Sequence, residues 1–205
     1  MARPARVSPD RILAAAALEF AERGFAGARV DRIARRARVN KAMLYYHFTS
    51  KDALYRTILR RMFTLAAERL GAIGELPVQP AEKVDRVIAG LAALIEEHPF
   101  FPAIMLREIA EGGAHLDRAT LSALAAVPRA VGAIVAEGVK TGAFRRVNPV
   151  FAYFTMAAPV VFFLAGTPIR NEMSDLHMID AHARSAAEFI AHAQEAARRS
   201  LGVTP

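Results

Sequence analysis

The sequence predicts an all-α fold for this chain of 205 residues. Apolar residues recur three and four positions apart through most of its length, which is the spacing of one face of an α-helix. No segment alternates apolar and polar residues in the manner of a half-buried strand. Proline and glycine fall between the apolar segments, where helices are expected to end. The length allows one or two small domains with a substantial core.

Composition narrows the function classes. The chain has no cysteine, so it forms neither disulfides nor thiolate metal sites. Its first ten residues lack the apolar core of a secretory signal, and we expect a cytoplasmic protein. The longest apolar run, residues 150–165, contains Pro159 and is shorter than the roughly 20 residues of a membrane helix. We therefore expect no membrane partner and a helix that is buried on all sides.

The net charge of +7 is concentrated at one end of the chain. Residues 1–60 hold 13 Lys or Arg against 5 Asp or Glu, whereas residues 61–205 hold 14 against 15. A local excess of positive charge attracts phosphates, because neutralising them releases condensed counterions. The distribution therefore points to a polyanion partner for the N-terminal part.

The first helix begins with Ser8 as its cap, Pro9 at the first helical position and Asp10 in the first turn. Gly24 is expected to end it. Its predicted buried stripe comprises Ile12, Leu13, Ala16, Ala17 and Phe20. Ahead of the cap, Arg3 and Arg6 form a short basic arm.

Residues 30–48 predict two short helices joined by a tight turn. Apolar side chains repeat at helical spacing from Val30 to Ala37, and a second apolar set follows after a short break. Cations surround the pair: Arg29, Arg32, Arg35, Arg36, Arg38, Lys41 and Lys51. A basic helix pair of this kind is typical of a helix-turn-helix whose second helix lies in the DNA major groove.

At these positions the chain resembles the TetR family of transcriptional regulators. The segments that carry the resemblance are Ile33-Ala34, Ala37-Arg38-Val39, Tyr45-Tyr46-His47-Phe48 and Lys51-Asp52-Ala53-Leu54. Two positions depart from the family pattern. Arg38 replaces the turn glycine, at a cost of about 1 kcal/mol if it stays left-handed, and Arg29 replaces a capping threonine.

The resemblance implies the DNA-contacting residues. Lys41, Ala42 and Met43 would touch base edges, with Lys41 donating to guanine. Tyr45, His47 and Lys51 would hold the DNA backbone. The full set expected at the DNA is Arg29, Arg38, Asn40, Lys41, Ala42, Met43, Tyr45, Tyr46, His47 and Lys51. Phe48 is expected to be core.

The predicted domains are a helix-turn-helix DNA-binding domain over residues 1–50, a linking helix over 50–70, and an effector-binding and dimerisation domain over 71–205. Ser50 caps the linking helix, and Gly71 and Gly74 mark a loop after it. Pro128 is expected to break or kink a later helix. Asn148 and Pro149 begin the next one, and a last helix spans residues 176–199.

The resemblance also implies partners. The last two helices resemble the family's dimerisation pair, with small residues Ala183, Ala186, Ala187 and Ala191 allowing close approach. A two-fold homodimer on double-stranded DNA at a palindromic operator is expected. A small, apolar effector would release the repressor from DNA. Its expected contacts are Phe101, Met105, Arg107, His115, Tyr153, Met156 and Phe163, with Glu108 as a further polar group.

Two other function classes are alternatives: a helical small-molecule binding protein and an all-helical enzyme. The first alternative requires a vestigial helix-turn-helix. Its support is the departure from the family pattern at Arg29 and Arg38. The chain is expected not to be an enzyme, because no phosphate-binding glycine loop or nucleophile elbow occurs. No cofactor or metal is expected. On a helix, His177 and Asp180 would lie on one face and His182 would lie off it, so the three side chains would reach a single metal ion poorly.

Overall fold

The computed structural model of the chain describes residues 8–179 and 185–202. Within these ranges all regular structure is helical, which confirms the all-α prediction. The helices are α1 (Pro9–Gly27), α2 (Val30–Arg36), α3 (Lys41–His47), α4 (Lys51–Gly74), α5 (Pro80–Glu97), α6 (Phe101–Ala110), α7 (Arg118–Lys140), α8 (Pro149–Ala165), α9 (Thr167–Asp175) and α10 (Ala186–Ser200). Arg3 and Arg6 lie outside the described residues.

The helices form two compact units that do not follow the order of the chain. The first unit joins the described residues up to Met62 with Ala103–Leu121, and the second joins Phe63–Pro102 with the described residues from Ser122 onward. Helices α4, α6 and α7 therefore each continue from one unit into the other. The linear domain limits drawn from the sequence stay a prediction.

The first unit is built on α1. The Ser8 hydroxyl accepts a hydrogen bond from the Asp10 amide at 3.2 Å, as the capping pattern predicts. All five residues of the predicted stripe are buried. At Gly24 the backbone leaves the helical conformation with φ of 68°, which a residue without Cβ adopts at little cost. The helix is therefore interrupted at Gly24, where the sequence predicts its end, and a short helical segment continues to Gly27.

The second unit packs α5, α8 and α10 against one another. Asp85 on α5 accepts two hydrogen bonds from the Arg198 guanidinium of α10, at 2.5 and 2.6 Å. The buried ammonium of Lys83 donates to both carboxylate oxygens of Glu137, at 2.8 and 3.0 Å, and to the Gly74 carbonyl. This ammonium is balanced in charge and hydrogen-bonded, as burial requires.

Three helix limits differ from the sequence prediction. Helix α4 runs through Gly71 to Gly74, because Leu70 is buried and packing offsets the low helix propensity of glycine. Helix α7 continues through Pro128, so of the two predicted outcomes the break is wrong, and the kink stays a prediction. The predicted last helix is also wrong at its start: α9 occupies 167–175, His177 has φ of 59°, and α10 begins only at Ala186.

The start of α10 has a local cause. The Ser185 hydroxyl accepts from the Glu188 amide, while the Glu188 carboxylate accepts from the Ser185 amide. This reciprocal capping box fixes the first turn. Glu188 therefore caps the helix.

Helix α8 is not buried on all sides within one chain. Asn148 caps it by accepting from the Val150 amide at 2.9 Å, as predicted. One face is buried through Ala152, Met156, Ala157 and Val160, whereas Phe151, Phe154 and Phe162 on the other face are exposed.

Helix α7 is long and apolar enough to cross a membrane by length and composition, with a mean hydropathy of 1.6 in its most apolar window.

Candidate DNA-binding surface and effector residues

The turn between α2 and α3 has a left-handed residue at its centre. Arg38 has φ of 53°, the region that favours glycine. The Ala37 amide donates to the Ile33 carbonyl at 2.8 Å, and the Val39 amide to the Ala34 carbonyl at 2.9 Å. These bonds close the end of α2. Arg38 is thus held in the conformation expected of the family's turn, and its side chain is exposed.

Helix α3 begins where the sequence predicts and exposes the predicted contact residues. The Asn40 side chain accepts from the Met43 amide at 2.7 Å, a regular N-cap. Leu44 is fully buried and Phe48 is buried as expected. The exposed side is formed by Asn40, Lys41, Ala42, Met43, Tyr45 and Tyr46, of which Tyr46 is 82% exposed. His47 is half-buried beside Tyr46.

The cations around α3 divide into two groups. Arg32, Arg36 and Lys41 pair with Glu19, Glu22 and Asp31 respectively. Arg35 and Arg38 are exposed and, within the part of the chain that the structure describes, form no ion pair. The second group is therefore the more readily available to an external anion.

Lys51 has a different position from the one expected. Its ammonium donates to the carbonyls of Phe25 and Ala28, at 2.9 and 3.3 Å, and lies 4.4 Å from the centre of the Phe25 ring. These contacts join the start of α4 to the end of α1. In this arrangement the cation of Lys51 secures the helices behind α3.

Arg29 precedes α2 without capping it through its side chain. Its backbone amide instead donates to Glu19 at 3.3 Å, and Arg32 donates to the same carboxylate oxygen at 2.5 Å. Burial acts to raise the pKa of Glu19, but the bonds from Arg32 and Arg29 outweigh it, so the pKa is lowered. Sequence reasoning missed Glu19. Its signal was a lone carboxylate between apolar neighbours of α1.

The expected effector residues fall in both compact units. Met105, Arg107 and His115 belong to the first unit. The Arg107 guanidinium donates to the Phe20 and Ala21 carbonyls, at 3.2 and 2.8 Å. It thereby caps α1 just before Gly24. His115 is half-buried, and its Nδ1 atom lies 3.0 Å from the carboxylate of Glu108.

The other four belong to the second unit and have separate surroundings. Phe101 packs edge-on against Phe63 with ring centres 5.7 Å apart. Met156 is buried core, and burial raises the pKa of the half-buried Tyr153. The rings of Phe163 and Phe189 stack with their centres 3.8 Å apart.

An open groove of about 520 Å³ in the second unit involves none of the predicted effector residues. Four alanines supply most of its wall, with one carboxylate and one guanidinium at hand. Its lining residues are Thr64, Ala67, Glu68, Ala123, Ala126, Arg129 and Ala130. Sequence reasoning missed it, because short alanine side chains give no pocket signal.

The short helices α2 and α3, the left-handed turn between them, and the exposed side chains of α3 with the cations around it define a helix-turn-helix DNA-binding protein. The family model described as bacterial regulatory proteins, tetR family, matches residues 12–58. A second model, described as tetracyclin repressor-like, C-terminal domain, matches residues 80–193. The chain belongs to the TetR family, and it is a DNA-binding transcriptional regulator, not an enzyme.

Relatives and solved structures agree with this assignment. The chain is 26% identical to the transcriptional repressor NicS of Pseudomonas putida over 197 residues, covering 94% of this chain and 91% of NicS. It is 28% identical to the regulator RutR of Escherichia coli K12 over 171 residues, covering 79% and 80%. The structure of the regulator FadR from Bacillus subtilis in complex with stearoyl-CoA has the same fold, with a TM-score of 0.75, 15% identity and coverage of 97% and 100%.

Proposed function

We propose that this protein is a homodimeric repressor that binds a palindromic operator through α3 and leaves it when a small apolar effector binds. The observation that carries the proposal is the capped α3 with its row of exposed side chains from Asn40 to Tyr46. The relative NicS is a repressor. A DNA-binding regulator acts where the chromosome is, and the proposed location is the cytoplasm.

The proposed contacts follow from exposure and pairing. Lys41, Ala42 and Met43 face outward at the start of α3 and would read base edges. Lys41 would exchange its partner Asp31 for a guanine. The residues proposed to hold the DNA backbone are Arg29, Arg38, Asn40, Tyr45, Tyr46 and His47. Lys51 is proposed to act through the helices that it joins.

The exposed face of α8 supports the dimer. Phe151 is 71% and Phe162 75% exposed in the single chain, and they lie eleven positions apart, which places them on one side of the helix. A monomer seldom exposes a large apolar patch that has no partner. On α10, Ala187 and Ala191 are exposed and small. A two-fold pairing through these faces would present two α3 helices, which a palindrome with half-sites roughly 34–36 Å apart matches.

The groove of alanines in the second unit supports an apolar effector. Its volume lies within the range of small-molecule sites, roughly 300–1,000 Å³, and Glu68 and Arg129 would orient a polar end of the ligand. FadR of Bacillus subtilis, which shares the fold, is known with stearoyl-CoA bound. Release from DNA would follow if the effector binds more tightly to a form that does not fit the operator.

The decisive experiment is binding of the purified protein to the DNA upstream of its own coding region over a salt series, with random DNA as competitor. We expect specific binding at physiological salt, with two chains for each palindrome. Equal and weak binding to all DNA, lost as salt rises, would contradict the proposal and favour a ligand-binding protein with a vestigial helix-turn-helix.

Two variants and one control test where the DNA-binding surface lies. Arg35→Gln and Arg38→Gln each remove an exposed cation beside α3, and each should reduce the salt slope by about 1. Arg86→Gln removes an exposed arginine on α5 and should leave the slope unchanged. If all three variants bind as the wild type does, the proposed surface is wrong.

A further inference from the structure

One cluster of metal-ligating side chains is not used by the DNA-binding surface. Glu108 and Glu111 lie on α6, and His115 follows in the loop before α7. One ligand atom from each of the three lies within 4.8 Å of the others. All three residues belong to the first compact unit. We propose that they bind a divalent first-row transition-metal ion of the zinc type.

The distances suit such an ion. The Nδ1 atom of His115 lies 3.0 Å from Oε2 of Glu108 and 3.4 Å from Oε2 of Glu111. Zinc binds nitrogen and oxygen at about 2.0–2.2 Å, so two ligands of a tetrahedral zinc lie about 3.4 Å apart. Small adjustments of the side chains would bring the three atoms to these distances. A fourth position stays open to water or another ligand.

The ligand types also select this class of metal. Two carboxylates and a neutral imidazole carry a charge of −2, which a divalent cation neutralises. Imidazole favours zinc and its neighbours, whereas calcium and magnesium prefer six or more oxygen ligands. The backbone carbonyl of His115 accepts from Arg56 at 2.9 Å, which holds the loop in place.

Glu108 is already oriented as a ligand would be. Its side chain is 1% exposed, and its Oε1 atom accepts from the His115 amide at 2.8 Å. The Tyr55 hydroxyl donates to Oε2 at 3.0 Å. Partners of this kind fix the orientation of metal-binding carboxylates.

The site touches the helices behind α3. The centres of the His115 and Phe25 rings lie 4.0 Å apart, and the Phe25 carbonyl accepts a hydrogen bond from the Lys51 ammonium. A bound metal would fix the loop of His115 against α6, beside the Phe25 ring. Without a metal, the His115 imidazole contacts both carboxylates directly, so the experiment must separate metal binding from these contacts.

The test uses the full chain without an affinity tag, stripped of metal by chelator and dialysed. Zinc chloride is titrated by calorimetry, and the melting temperature is followed with and without the ion. We expect one zinc per chain and a melting temperature that rises with zinc concentration. Magnesium at the same concentrations should leave the melting temperature unchanged.

Two variants and two controls locate the site. Glu111→Gln removes an exposed ligand, and His115→Gln removes the nitrogen; each should weaken zinc binding by about tenfold or more. Glu96→Gln and His192→Gln change exposed residues elsewhere and should bind as the wild type does. Because Glu111 is exposed, its variant keeps the fold even if His115→Gln does not.

The proposal fails if the stripped wild type takes up no zinc, if magnesium raises the melting temperature as zinc does, or if Glu111→Gln binds zinc as tightly as the wild type. The last result would place any zinc on other histidines. No DNA is used, so the outcome is independent of the operator proposal.

Discussion

Two surfaces of this protein expose aromatic side chains, and their surroundings differ. On α3, Tyr45 and Tyr46 carry hydroxyl groups on a short helix that also holds Lys41 and His47. On α8, Phe151, Phe154 and Phe162 stand on a helix that has no charged residue at all. The first surface suits a polar, anionic partner, and the second suits an apolar one. Exposure alone therefore does not identify a partner; the neighbouring charges do.

The two surfaces are also held differently. Behind α3, charged side chains bond to carbonyls and carboxylates: Arg32 to Glu19, Lys51 to Phe25, Arg107 to Ala21. Helix α8 is held by apolar burial through residues such as Met156 and Val160. Salt, acid and charge substitutions should thus act on the first surface, and apolar-to-charged substitutions on the second.

The largest effect is expected from the double substitution Phe151→Glu and Phe162→Glu. A two-fold pairing would bury four carboxylates, at a cost of several kcal/mol, so association should weaken by about 1,000-fold or more. Sedimentation equilibrium would show two chains for the wild type and one for the variant. Ile109→Glu, an exposed apolar position on α6, should stay dimeric. A dimeric double variant would remove α8 from the proposed interface.

The next effect tests the polar support behind α3. Glu19→Gln weakens the bonds to Arg32 and to the Arg29 amide, and it should lower the free energy of unfolding at pH 7 by about 1–3 kcal/mol. Urea denaturation measures it. The matched change Glu22→Gln affects an exposed pair and should cost about 1 kcal/mol or less.

The pH dependence of that difference has a definite sign. The pKa of Glu19 is lowered below its ordinary value of 4.5 in the folded protein. Its contribution is therefore fully present above pH 4.5 and is lost as pH falls through the lower folded value. The stability of the wild type and of Glu19→Gln should converge in acid. A difference that stays constant down to pH 3 would show that the carboxylate charge is not the cause.

A third prediction concerns base reading. Lys41→Ala should cost about 1–3 kcal/mol at a guanine that Lys41 contacts and little at other sequences. Selection of binding sites from random DNA, with wild type and variant in parallel, measures the change in preference. An unchanged preference would place the base contacts elsewhere on α3.

The smallest effect separates stability from binding at one residue. Arg38→Gly relieves a left-handed conformation and should raise the free energy of unfolding by about 1 kcal/mol. The same substitution removes a cation and should weaken DNA binding and reduce the salt slope by about 1. Arg38→Ala should weaken binding equally without the gain in stability. If Arg38→Gly destabilises the protein, the turn is not strained.

Much of the first unit was predictable because its signals are local. Ser8, Asn40 and Ser50 each cap the helix that follows them, as their residue types indicate. Arg38 takes the left-handed conformation expected at its position in the turn. Each of these depends on a few neighbouring residues.

What sequence reasoning missed depends on contacts distant in the chain. No local pattern indicates that the Lys51 ammonium bonds to carbonyls 26 and 23 residues away, and its contact with DNA stays a prediction. Glu19 and Arg107 carry no local sign of the partners that they meet. The effector residues were chosen by type alone, and the structure places them in two units. Helix α9 was missed because Gly166 and Pro168 read as a break, whereas proline fits the first turn of a helix.

The first unit is composed of two separated stretches of chain, and this affects its folding during synthesis. Tyr55 and Arg107 find their partners only across that gap. Without residues 103–121, the Tyr55 hydroxyl would lack Glu108 and the Phe25 ring would lack His115. During synthesis the DNA-binding end therefore waits for residue 121 to leave the ribosome before it is complete. A piece that ends at Met62 therefore carries only part of the first unit.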